Sequence, residues 1–145
     1  MTRKLALVTS MVLGLGGAAL AQQTFDPIKT RQAGQDLLLS TAAGVKAVIT
    51  LKGDVKSLEA PGKAIQKWAL VFPTLFPPGT DKGDTKAAPA IWTDRAGFEK
   101  DAKTLSAAGE KLAVAAKAGD ETAVAAAFKE IGEACGACHK DYRLK

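Results

Sequence analysis

GDETAVAAAFKEIGEACGACHKDYR, residues 119–143, decides how the chain folds. Gly119 suits the left-handed position that closes a helix, and Asp120 suits the N-cap that opens the next one. Beyond that cap Val124, Phe128, Ile131, Cys135, Cys138 and Tyr142 recur at spacings of three and four, which predicts one helix over about 121–142 with these residues on its inner face. So short a connection folds one helix back, antiparallel, onto another.

The same periodicity extends outward. Ile91, Arg95, Phe98, Ala102, Leu105, Gly109, Leu112 and Ala116 mark a helix from about Pro89 to Ala118. Arg31, Gln35, Leu38, Ala42, Val45 and Ile49 mark another over 26–52, ending at Gly53-Asp54. Pro61 suits a first turn, Ile65, Trp68 and Phe72 share a face, and Pro73 closes a helix over 61–72. Between them, 73–88 holds Pro73, Pro77, Pro78, Gly79 and Gly83 and reads as a loop. Four amphipathic stretches imply an all-α antiparallel four-helix bundle. Composition agrees: aromatics are only 6% against 47% hydrophobic, with Ala abundant, which disfavours a β-sandwich and disorder alike.

Residues 1–21 have the layout of a secretory signal peptide: Arg3 and Lys4, an apolar run from Leu5 to Leu20, and Ala19-Leu20-Ala21 before Gln22. The run is short for a membrane anchor. The folded domain is therefore expected over 22–145, in the periplasm, with no membrane insertion after cleavage. Removing two basic residues takes the formal charge from +5 to +3. Acids and bases are interleaved, which is a solvated surface and no nucleic-acid footprint.

Both cysteines lie in the last helix. A disulfide between Cys135 and Cys138 would close a loop too small to stabilise anything. Cys135-Gly136-Ala137-Cys138-His139 is C-x-x-C-H, the attachment pattern of c-type haem. Two thiols three residues apart on a helix can each add to one porphyrin vinyl group, and the imidazole beside them can reach the iron. A thioredoxin-like pair would instead open a helix after a strand, where the dipole activates the first thiol. Zinc would need a fourth ligand beyond the two thiols and His139.

The segment Cys135–Arg143 resembles the C-terminal end of class II cytochromes c, the cytochrome c′ family. Ile28–Gln32 resembles that family's first helix, Leu75–Thr80 its loop after the second, and Pro89–Trp92 the opening of its third. The resemblance implies one covalent haem c, nitric oxide or carbon monoxide as ligand, one-electron redox change with an unnamed redox partner, and a homodimer through the first two helices. It places Arg31 near a haem propionate, Arg143 beside the proximal His139, and Phe76 and Phe128 either against the haem or in the core without touching it. Trp68 and Trp92 are left to the core or an interface. Gln35 takes the distal position, where the family usually has an apolar residue; a one-residue shift in register would bring Asp36 there, and Leu38 could cover the iron if Gln35 points along the bundle edge.

Counting decides the sixth ligand. Met1 and Met11 are the only methionines and both belong to the leader; His139 is the only histidine. Methionine and bis-histidine coordination are thereby excluded; a lysine or the N-terminal amine is left as an uncommon sixth ligand, and five-coordinate, high-spin iron with His139 alone is the expected state. An electron-transfer cytochrome is the alternative, an exported thiol oxidoreductase a more distant one. No residue set for turnover chemistry is evident.

Overall fold

Asp26 opens the first helix, α1 (Pro27–Thr50), by accepting from the Ile28 and Lys29 amides at 2.9 and 3.2 Å. The structure is a computed structural model describing residues 25–145. The signal peptide expected over 1–21 lies outside the described residues. α1 stops slightly before Gly53-Asp54, with Lys52 taking the left-handed φ of 52°.

The second helix, α2 (Glu59–Val71), starts two residues before its expected place because a 3-10 turn, Val55–Leu58, capped by Asp54, leads into it. Pro73 does not stop the winding. It sits in the first turn of a further 3-10 turn, Phe72–Leu75, where a missing N–H costs nothing.

The single helix expected over 89–118 is broken. A short α3 (Ala90–Thr93) ends at Asp94, whose φ and ψ of −122° and 59° are not helical, and α4 (Arg95–Ala118) begins there. The Asp94 side chain accepts from Gly97 N at 3.1 Å, so an N-cap interrupts a stripe that stays in phase. Ile91, Phe98, Ala102, Leu112 and Ala116 are all buried across the break. Gly119 takes φ 74°, Asp120 caps with a 2.9 Å bond from Ala123 N, and α5 (Glu121–Tyr142) follows, as expected.

The four long helices form an antiparallel four-helix bundle. α4 is its centre, packed along α2 and α5. Gly62 and Gly109 let α2 and α4 approach closely: a Cβ at Gly62 would lie 2.6 Å from Ala113 N, and one at Gly109 2.7 Å from Gln66 N. One core cluster joins Val45, Leu58, Ile65, Leu112, Val124 and Ile131. A second gathers Leu75, Phe76, Ile91, Phe98 and Tyr142 at the other end. α1 packs more sparsely than the rest, and beside it the bundle is open.

Candidate functional site

That opening is a cavity of about 520 Å³, within the range of cofactor sites. α5 brings Cys135, Cys138 and His139 to its wall, one turn of helix carrying all three. Gln35 and Leu38 of α1 both line it, as do Arg31, Phe76 and Arg143. Phe128 does not: it is half-buried in the core with Val124 and Ile131, the second of the two roles open to it. Trp68, assigned to core or interface by sequence, lines the cavity. Trp92 instead donates from Nε1 to the Pro77 carbonyl at 3.2 Å.

Both thiols are free and half-buried. Burial pushes Cys135 up; Cys138 is pushed to about 11 by burial first, then by its acidic neighbours Asp101, Cys135 and Asp141. Neither is the activated thiolate that disulfide exchange needs. His139 is held below the ordinary 6.5, by burial first and then by the Arg143 cation. It is therefore a neutral imidazole with a free lone pair at neutral pH, the state that binds metal.

Arg31 is 4% exposed. Its Nη1 donates to the Leu75 carbonyl at 3.3 Å and Thr80 Oγ1 at 3.0 Å; its Nη2 donates to the Thr80 carbonyl and Thr85 Oγ1, both at 2.7 Å. The guanidinium also lies 4.4 Å over the Phe76 ring. Every acceptor is neutral, and among the described residues Arg31 enters no ion pair. Burial lowers its pKa, and Asp26 opposes that in smaller measure. A buried cation on a cavity wall, without an anion of its own, favours a ligand that carries one.

The rest of the wall is largely aromatic and aliphatic. Phe72, Phe76 and Phe98 meet edge-to-face or tilted, with centroids 4.9 to 6.1 Å apart. Nε1 of Trp68 is buried without an acceptor, the one such side-chain atom found among the described residues. Among those residues no three His, Cys, Asp or Glu side chains gather as a metal-ligand cluster. The wall suits a flat, apolar ring bearing carboxylates, fixed by two thiols and ligated by one imidazole; it fits a haem.

Several cavity residues escaped sequence reasoning: Trp68, Thr85, Lys86 and Asp101. One signal was available for the first. Gly34 has no room for a Cβ, because the Trp68 ring occupies that space. A glycine inside α1 marked a bulky neighbour.

The family described as Cytochrome C' matches residues 26–143. The chain belongs to the cytochrome c′ family. Cytochrome c′ from Alcaligenes xylosoxydans xylosoxydans is 33% identical over 122 residues, covering 83% of this chain and 94% of the relative. The crystal structure of cytochrome c′ from Thermochromatium tepidum superposes with a TM-score of 0.76 at 32% identity, covering 82% of this chain and 95% of that one. The nitric oxide complex of a variant cytochrome c′ from Alcaligenes xylosoxidans gives 0.73 at 31% identity, covering 82% and 94%. Proteins of this family carry a covalently attached haem c, and this chain has the two cysteines the attachment uses.

Proposed function

We propose that this cytochrome c′ is an exported, periplasmic haem protein that binds nitric oxide, and carbon monoxide, at an open coordination position. The observation that carries the reading is a count: His139 is the only histidine, and the only methionines are Met1 and Met11. With the leader removed, no methionine and no second imidazole remains, which supports five-coordinate, high-spin iron; a lysine or the N-terminal amine is the other ligand the chain could supply. Haem c supplies, when bound, an iron that takes up a diatomic ligand and exchanges one electron.

The residues divide the remaining work. Cys135 and Cys138 are the thioether positions, and His139 is the protein ligand, kept neutral by burial and by Arg143. Arg31 offsets carboxylate charge at the cavity wall, and Phe76 packs the ring. Gln35 presents an amide donor on the distal side. The raised thiols speak against a thiol oxidoreductase. Solved relatives with nitric oxide and with carbon monoxide support the choice of ligand. Among the described residues no helix is long and apolar enough to cross a membrane.

A homodimer through α1 and α2 belongs to the same proposal. Leu37, within α1, and Leu51, its C-cap, are 71% and 79% exposed, and with Gly44 they recur every seven residues. Leu70 and Val71 are exposed on α2. A solved relative is described with ligand-controlled dimer dissociation.

The test is an optical spectrum of protein exported alongside a haem maturation system, ferric and then reduced. Broad high-spin bands that respond to nitric oxide are expected. Sharp low-spin bands would replace the open site by an electron carrier, and a colourless protein would remove haem altogether.

A further inference from the structure

The segment 80–88 runs from α1 to the end of α5 and is hydrogen-bonded at both. At α1, Arg31 holds Thr80 and Thr85, and Gln32 Nε2 donates to the Asp84 carbonyl at 2.8 Å. At α5, Leu144 N donates to the Lys86 carbonyl at 2.8 Å and Ala88 N to the Tyr142 carbonyl at 3.1 Å. These two bonds frame an isolated antiparallel bridge between Ala87 and Arg143.

One atom joins the two ends. Thr85 Oγ1 accepts from Arg31 Nη2 at 2.7 Å and from Ala87 N at 3.2 Å. A hydroxyl oxygen has two lone pairs, so both bonds coexist. The arginine on α1 therefore orients the atom that orients Ala87, and Ala87 is the residue paired with Arg143. Arg143 lines the cavity, as does His139 four residues before it on the same turn of chain.

We propose that Thr85 is a positioning residue for the proximal side of the site, transmitting the hold of Arg31 to the backbone that keeps Arg143 beside His139. The proposal rests on the haem reading given above. Thr85 lines the cavity, but in this role it acts through Ala87 and Arg143. Thr80 supplies the contrast. It too accepts from Arg31, but its own hydroxyl donates to the Pro77 carbonyl at 2.8 Å, within the loop and away from Ala87. Losing Thr80 Oγ1 loosens the same arginine without cutting the path to Arg143.

The experiment uses ferrous holoprotein with nitric oxide. Nitric oxide weakens the iron bond opposite to it, so the fraction of complex that keeps His139 on the iron, read by electron paramagnetic resonance, reports the proximal side. Thr85→Val should change the ratio of the two forms about threefold, the scale of one neutral hydrogen bond. Thr85→Ser should restore it, and Thr80→Val should move it far less. A wild-type ratio in Thr85→Val, or an equal shift in Thr80→Val, overturns the proposal. If Thr85→Val yields no holoprotein, amide exchange at Ala87, Ala88 and Leu144 is compared in wild type, Thr85→Ser and Thr85→Ala. Faster exchange at all three in Thr85→Ala alone supports the path; unchanged exchange overturns it. A protein that takes up no nitric oxide overturns the functional reading instead, and the exchange measurement still decides the role of Thr85.

Discussion

The Tyr142 hydroxyl donates to Oδ2 of Asp94 at 2.7 Å, tying the last residue of α5 to the break between α3 and α4. Gly97 makes room for it: a Cβ there would collide with both the phenol and the carboxylate. Asp94 thus serves as the N-cap of α4 and as the acceptor that anchors the helix carrying His139.

Tyr142→Phe should lower thermal stability at neutral pH, and the pH dependence of the difference identifies the bond. The phenol, first among its causes, holds Asp94 below 3.8, so the carboxylate contributes stability above that value and loses it as pH falls through the depressed pKa. Tyr142 is raised from 10.0 to about 12, chiefly by the same bond. Its contribution is complete below 10 and is lost as pH rises between 10 and 12. The gap in melting temperature between wild type and Tyr142→Phe should therefore be a plateau that closes at both extremes. A constant gap across pH would assign the loss to packing against Phe98, 5.3 Å away between ring centroids.

Gly109→Ala and Gly132→Ala should have opposite signs. Both glycines are helical, and Ala is better there by about 1 kcal/mol. Gly132 has nothing within 4 Å of a built Cβ, so it should gain most of that. At Gly109 the Cβ meets the Gln66 and Gly62 backbones, and overpacking of about 1–3 kcal/mol outweighs the gain. Denaturant midpoints of the two variants give the answer.

These glycines also show where sequence reading ends. Periodicity located all four long helices, and the Gly119-Asp120 pair placed one turn to the residue, because caps and stripes are local signals. The break at Asp94 escaped because the stripe keeps its phase across it; only the cap residue and its distant partner Tyr142 reveal the interruption. At the site, Cys135, Cys138 and His139 were legible from spacing alone. Arg31 was legible as a residue near the cavity but not as the holder of the loop, since its acceptors at Leu75, Thr80 and Thr85 are more than forty positions away. Phe128 looked like Phe76 in sequence; only packing separated core from cavity wall.

The α1 stripe gives a prediction about assembly. Leu37→Glu with Leu51→Glu places two charges on the exposed leucines, the first within α1 and the second at its C-cap, where the cap bonds to the Ala47 and Ile49 carbonyls come from the backbone N–H and survive the change. A dimer through this face should dissociate in sedimentation while helicity and thermal transition stay close to wild type. A dimer that persists would move the interface elsewhere.

The distal side offers two candidates one turn apart on α1, and they respond differently. Gln35 and Leu38 both line the cavity, the first with an amide donor and the second with none. A donor over the iron holds a bound diatomic ligand by one hydrogen bond, worth about 0.5–1.5 kcal/mol, or two- to tenfold in the rate of loss. Gln35→Leu should raise the carbon monoxide off-rate by that amount and shift the carbon–oxygen stretch, which senses the donor. Leu38→Ala should instead open space and speed ligand entry, leaving the stretch in place. If Gln35→Leu changes neither rate nor stretch while Leu38→Ala changes entry, Leu38 covers the iron and Gln35 lies along the cavity edge.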